Sequence, residues 1–222
     1  MSYCNWEHTS RANQKYHDRE WGIPVHTDRK QFEFLMMEVM QCGLSWDLMI
    51  NKRAIFRACF DHFDFNRIAR YNQKDINRIL HTPGMIKSRR KIEAIINNAR
   101  CFLALRKEFG TFCKYLWGYA GGKTILYEKH ALGYIPASNG LSEKISLDLK
   151  KRGFKYLGPI TIYSHLQAAG LINDHDPRCP RHRFILERFP IVRKPRNHEK
   201  GVHCFRNKQS IFLLHKKYLE KI

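Results

Sequence analysis

Two groups of residues have the types and spacing to do chemistry. The stretch LINDHDPRC, residues 171–179, sets His175 and Cys179 four positions apart, and the N-terminal stretch CNWEHTSRANQKYHD carries Cys4 and His17. A closed zinc site takes four nitrogen or sulfur ligands in a tetrahedron, and these two half-sites would supply them. Pro177 makes the later half-site a turn rather than a helical face, and Asp174 is placed to orient the His175 imidazole. Such a site would clip the N-terminal segment to the end of the core. With twelve histidines and seven cysteines in the chain, other pairs compete, Cys179 with His182 and His203 with Cys204 among them. Ordinary packing and surface roles also stay open.

The second group is aromatic and acidic. Trp6, Tyr16, Trp21 and Trp46 include three of the chain's four tryptophans, and Glu38 sits in FEFLMMEVM with Phe34, Leu35 and Cys42 at helical spacing. Aromatics are most often core, and Glu38 is equally readable as a surface residue at the edge of an apolar stripe. Burying a carboxylate without a partner is costly, so a buried Glu38 needs a purpose. Aromatic faces with one acceptor are what a pocket for a flipped-out cationic base requires, the rings stacking and the carboxylate accepting from N–H groups. Leu44, in QCGLSW, would then be an apolar wedge between base steps, or a loop leucine that simply packs. In KKRGFKYLGPITIYSHLQAAG, Gly153 and Gly158 bracket a turn between two short helices. Close backbone approach there, the helix start at Pro159 and Lys155 suit a phosphate.

The elements that must position these residues are helical almost throughout. TDRKQFEFLMMEVMQCG predicts an amphipathic helix with Asp28 as N-cap, Phe32, Leu35, Met36 and Val39 as the buried stripe, and Gly43 as the stop. SRRKIEAIINNARCFLALRKEFG predicts another, with Ser88 as cap, Ile92, Ile95, Ile96, Ala99 and Phe102 or Leu103 inward, and Gly110 at the end. LSEKISLDLKKRG and ITIYSHLQAAG predict two shorter ones. Residues 118–140 read as a long connection, and neither an internal repeat nor a convincing alternating strand stands out.

Composition narrows the partners. A chain of 222 residues, 43% hydrophobic, buries one sizeable core, and a net charge of +20 favours a polyanion, nucleic acid ahead of anionic lipid. No apolar run of membrane-spanning length and no apolar leader is present, so a cytoplasmic location is expected. An odd number of scattered cysteines argues for reduced thiols. Residues 181–222 hold twelve Lys or Arg against three Glu, a net of +9. They read as a basic extension, partly flexible until bound, of a domain formed by residues 1–180.

Taken together, CNW at 4–6, YHDREWG at 16–22, FEFLMMEVMQCGLSW at 32–46, KR at 52–53, ACFDHFD at 58–64, GMIKSRRKIEAIINNA at 84–99, LKKRGFKYLGP at 149–159 and QAAGLINDH at 167–175 resemble the 3-methyladenine DNA glycosylase I family. The resemblance covers about residues 3–180. It implies an all-α helix-hairpin-helix fold with a structural zinc bound by Cys4, His17, His175 and Cys179. It also implies that Glu38 and Tyr16 contact the damaged base, that Trp46 stacks on it, and that Trp6 and Trp21 line the pocket. The implied activity is monofunctional hydrolysis of the N-glycosidic bond of 3-methyladenine in alkylated double-stranded DNA, by a monomer without lyase chemistry. Family members often have an aromatic where Asn13 stands and an apolar or small residue where Asp47 stands. A shifted specificity, toward 3-methylguanine for example, is therefore one alternative, and a non-catalytic zinc protein that binds nucleic acid is another.

Overall fold

The computed structural model describes residues 4, 10–128, 130 and 135–195, and Trp6 and the chain beyond 195 lie outside them. The helices are α1 (Arg11–Arg19), α2 (Asp28–Gln41), α3 (Trp46–Asn51), α4 (Arg53–Cys59), α5 (Phe65–Ile68), α6 (Gln73–His81), α7 (Arg89–Phe109), α8 (Phe112–Gly118), α9 (Gly140–Lys151), α10 (Pro159–Ala168) and α11 (Pro180–Arg188). Two strands complete the order, β1 (Thr124–Tyr127) and β2 (Ile191–Lys194).

The architecture is organised around α2. Every residue from Gln31 to Met40 is buried, so the helix is no surface stripe but a central rod packed by α3, α7, α8 and α10. Sequence periodicity predicts one buried face; the chain buries all of them, which draws Glu33 and Glu38 inside. Asp28 also differs from expectation. Thr27 occupies the N-cap position, and the Asp28 carboxylate instead accepts from the Phe112 and Cys113 backbone N–H groups, at 3.2 and 3.0 Å, and from Arg106 Nε at 2.6 Å. One carboxylate thus serves the N-terminus of α8 and joins it to α7.

In α7 the expected stripe is inward, with Phe102 fully buried and Leu103 half-buried. Phe102 lies between Phe32, Phe65 and Phe112 at ring-centroid distances of 5.1, 4.9 and 4.5 Å, a cluster that fastens α2, α5, α7 and α8 together.

The 118–140 connection is not wholly irregular. β1 pairs in parallel with β2 in register Thr124↔Ile191 to Tyr127↔Lys194, and Ile125 also bridges Ile172. Four residues are too few to show alternation, and the partner lies far along the chain, which is why no strand was legible. The pairing holds residues 171–173 in place: Ile125 N–H donates to Leu171 O at 2.7 Å and Asn173 N–H to Ile125 O at 3.0 Å. It also folds residues 180–195, the first part of the basic stretch, against the domain.

Two glycines allow distant segments to meet. Gly170 has φ +75°, and a Cβ there would lie 2.5 Å from Pro24 N and 2.7 Å from Gly22 O. Gly22 has φ +78°, and its Cβ would lie 2.7 Å from His175 Nε2. Only a residue without a side chain permits both contacts.

Candidate functional site

The two half-sites of the sequence converge. One ligand atom from each of Cys4, His17, His175 and Cys179 lies within 4.8 Å of all the others, and the last three residues are buried. Cys179 Sγ is 3.7 Å from His17 Nε2 and 3.7 Å from His175 Nδ1, and Cys4 Sγ is 3.7 Å from His175 Nδ1. Sulfur and nitrogen bound to one tetrahedral zinc would stand about 3.5 Å apart, given bond lengths of about 2.3 and 2.0–2.1 Å.

The protonation chemistry suits a cation as well. Hydrogen bonding with Cys4, then with His17 and His175, holds the Cys179 thiol far below its ordinary value, and burial holds His175 neutral. Both outer ring nitrogens are engaged: His17 Nδ1 is 2.8 Å from Asp18 Oδ1, and His175 Nε2 is 3.1 Å from Trp21 O. Each imidazole is thereby fixed with its other nitrogen toward the sulfurs. The expected role of Asp174 is corrected. Its carboxylate meets His130 Nδ1 at 2.8 Å, Tyr163 Oη at 2.7 Å and Gln167 Nε2 at 2.8 Å, so it braces the segment before His175 rather than the imidazole itself.

The aromatic group gathers one residue away from this cluster. Tyr16 and His17 are neighbours on α1, both buried, yet they serve different surroundings. The Tyr16 ring lies 5.4 Å from that of Trp46 and 6.1 Å from that of Phe34. Glu38, on the last full turn of α2, is buried at 5% exposure. Burial first, then the charge of Glu38, pushes the Tyr16 hydroxyl pKa well above the ordinary phenol value, so Tyr16 keeps its proton as a donor. Trp21, expected in the pocket wall, packs against the cluster imidazoles, with its ring 4.4 Å from His175 and 6.0 Å from His17.

An ion-pair network backs the aromatic group. Buried Arg53 donates through its two terminal nitrogens to Glu20 at 2.8 Å each and through Nε to Glu33 at 2.7 Å, and it lies 6.0 Å from the Tyr16 ring. Burial raises the Glu20 pKa, but hydrogen bonds from Arg53 and Lys30 outweigh it and bring the carboxyl down to about 2. Glu33 on α2 is therefore saturated by cations, while Glu38, five residues on, sits on the aromatic side. Sequence reasoning did not single out Arg53, although KR at 52–53 was a signal.

Leu44 is partly buried, in the turn after α2. Lys91 Nζ donates to Met40 O at 2.7 Å and Cys42 O at 2.5 Å, closing the helix end and holding this turn. Of the hairpin residues, Gly153 has φ +86°, and a Cβ added at Gly158 would meet nothing within 4 Å, so that backbone faces open space. Lys155 is fastened on both sides by Asn98, whose Oδ1 accepts from Lys155 N–H at 2.8 Å while its Nδ2 donates to Lys155 O at 3.0 Å. Lys91 and Asn98 were missed because each acts on a backbone remote in sequence. Among the described residues, no helix is long and apolar enough to cross a membrane.

The mostly helical domain matches solved DNA glycosylases, hydrolases that act on N-glycosyl bonds. The family model for methyladenine glycosylase matches residues 6–182, and the chain belongs to that family. It is 38% identical to DNA-3-methyladenine glycosylase 1 of Escherichia coli over 179 residues, covering 81% of this chain and 96% of that protein. It is 36% identical to the DNA-3-methyladenine glycosylase of Haemophilus influenzae over 80% of this chain and 96% of that one. The solved structure of 3-methyladenine DNA glycosylase I from Staphylococcus aureus superposes with TM-score 0.76 at 34% identity, covering 81% of this chain and 96% of that one.

Proposed function

We propose that this glycosylase releases 3-methyladenine from alkylated double-stranded DNA. The observation that carries the reading is the burial of Glu38 beside the Tyr16–Trp46 pair, an arrangement suited to a flat cation. Trp46 stacks on the flipped base, Tyr16 donates from a hydroxyl that stays protonated, and Glu38 accepts from the base and offsets its charge.

The reaction asks little of the protein as acid or base. Methylation at N3 makes the purine cationic. When the C1′–N9 bond breaks, its electron pair returns to the ring and the base departs neutral. A water oxygen then bonds C1′ and loses its proton to solvent, with no lysine adduct. Leu44 fills the gap left in the duplex, while Gly153, Lys155 and Gly158 form a helix-hairpin-helix grip on a backbone phosphate.

Cys4, His17, His175 and Cys179 hold one zinc ion. With four protein ligands it has no open position and supplies a cross-link, not a reacting group.

Chromatography of bases released from methylated DNA tests the activity. Release of 3-methyladenine, reduced in Glu38→Ala with its circular dichroism intact, is expected. Binding without release would point instead to a non-catalytic DNA-binding protein, and release mainly of 3-methylguanine to a shifted pocket.

A further inference from the structure

Asn13 on α1 and Asp47 on α3 touch each other. Asn13 is 2% exposed on α1, and its Nδ2 donates to Asp47 Oδ1 on α3 at 3.1 Å. The second carboxylate oxygen, Oδ2, accepts from Asn51 Nδ2 at 3.0 Å, so Asp47 is held from its own helix as well. Asn13 lies one helical turn before Tyr16, and Asp47 directly follows Trp46. The hydrogen bond therefore crosses between α1 and α3 beside the place where the Tyr16 and Trp46 rings meet, at 5.4 Å and 50°.

Neither helix can hold that angle alone. α3 has six residues and α1 nine, both shorter than helices that persist in isolation, so tertiary contacts must set their mutual orientation. A hydrogen bond from a buried amide is directional and resists sliding, whereas ring-on-ring contact tolerates tilt. We propose that Asn13 and Asp47 are a positioning pair that fixes the angle between Tyr16 and Trp46, and so sets how tightly the pocket takes an alkylated purine. This rests on the reading of Tyr16 and Trp46 as the base pocket.

The test measures affinity for free 3-methyladenine by calorimetry, and KM and kcat on methylated duplex DNA, for the full chain, its Asn13→Ala, Asp47→Ala, Asp47→Asn and Trp46→Ala variants, and the Asn13→Ala, Asp47→Ala double variant. Alanine is the best helix former, so local helix loss does not confound the truncations. Asn13→Ala and Asp47→Ala should each weaken 3-methyladenine binding about fivefold to tenfold, and the double variant should be no worse than either, because both remove one shared interaction. Asp47→Asn keeps a carbonyl acceptor for Asn13, and its affinity should stay within about twofold of the parent. Unchanged affinity in Asn13→Ala and Asp47→Ala, with Trp46→Ala weakened, overturns the pair while leaving the pocket standing. Asp47→Asn as weak as Asp47→Ala overturns positioning by the bond, since charge would then be what matters. Unchanged affinity in Trp46→Ala removes the pocket itself.

Discussion

The Cys/His cluster and the aromatic pocket begin at adjacent residues of one helix and are built on opposite plans. At His17 the chain brings together donors from positions 4, 17, 175 and 179, each imidazole turned by a partner on its far side. At Tyr16 it brings rings and a carboxylate from α1, α2 and α3, all within the first fifty residues, backed by the Arg53 network. The first arrangement is complete in itself and closes a long chain loop. The second is drawn from neighbouring short helices and depends on other contacts for its shape. A closed constellation suits stability and a supported, aromatic-lined one suits recognition, so damage to each should show in different measurements.

The largest effect should come from the cluster. Cys179→Ser replaces a thiolate by a poor zinc ligand and leaves two buried imidazoles without their central sulfur. The parent should carry about one zinc per chain by elemental analysis, and the variant should lose it together with more than about 10 °C of melting temperature. A variant that keeps its melting temperature would erase the distinction between clasp and pocket.

Glu38→Ala should do the reverse. Excision of 3-methyladenine should fall between about tenfold and a hundredfold, the worth of a hydrogen bond to a charged group, with zinc content and melting temperature close to the parent's. If Leu44 is a wedge, Leu44→Ala reaches the pocket only through DNA. Excision from duplex should drop about tenfold, about 1.4 kcal/mol and so a part of the few kcal/mol that unstacking one base step costs, while affinity for free 3-methyladenine stays the same. Equal losses on both substrates would mean that Leu44 packs the pocket rather than wedging the duplex.

How much of this was legible in the sequence follows from the same contrast. The stripes of α2 and α7 and the glycine stops at 43 and 110 were readable because they are local. All four cluster residues were named, but on spacing alone they competed with His182, His203 and Cys204, since only the fold decides which distant donors meet. The all-round burial of α2 was hidden because periodicity reports one face at a time, and β1 because its partners lie beyond residue 170. Gly22 and Gly170 sat in recognised segments, but their need for positive φ and for each other's proximity is visible only in space. The Asn13–Asp47 bond joined two positions that had been noted separately.

His165 belongs to neither plan and gives the finest test. It lies on α10, the helix that starts at the hairpin and ends beside Gly170, and it is 1% exposed with no hydrogen-bond partner for either ring nitrogen among the described residues. Burial alone brings its pKa down to about 3. The unfolded chain takes up this proton near pH 6.5, while the folded chain refuses it until about pH 3, so stability is full above the unfolded value and drains as pH falls across that window. At pH 5 the cost is about 2 kcal/mol, equivalent to about 4–8 °C in a domain of this size. His165→Phe removes the proton site and fills similar volume, so the melting-temperature gap between pH 7.5 and pH 5 should narrow by that amount. The zinc content at neutral pH should not move, which separates acid loss at α10 from acid loss at the cluster. An unchanged gap would place the acid sensitivity in the buried cluster imidazoles, and the clasp rather than the helix behind the pocket would then be the first part of the fold to fail.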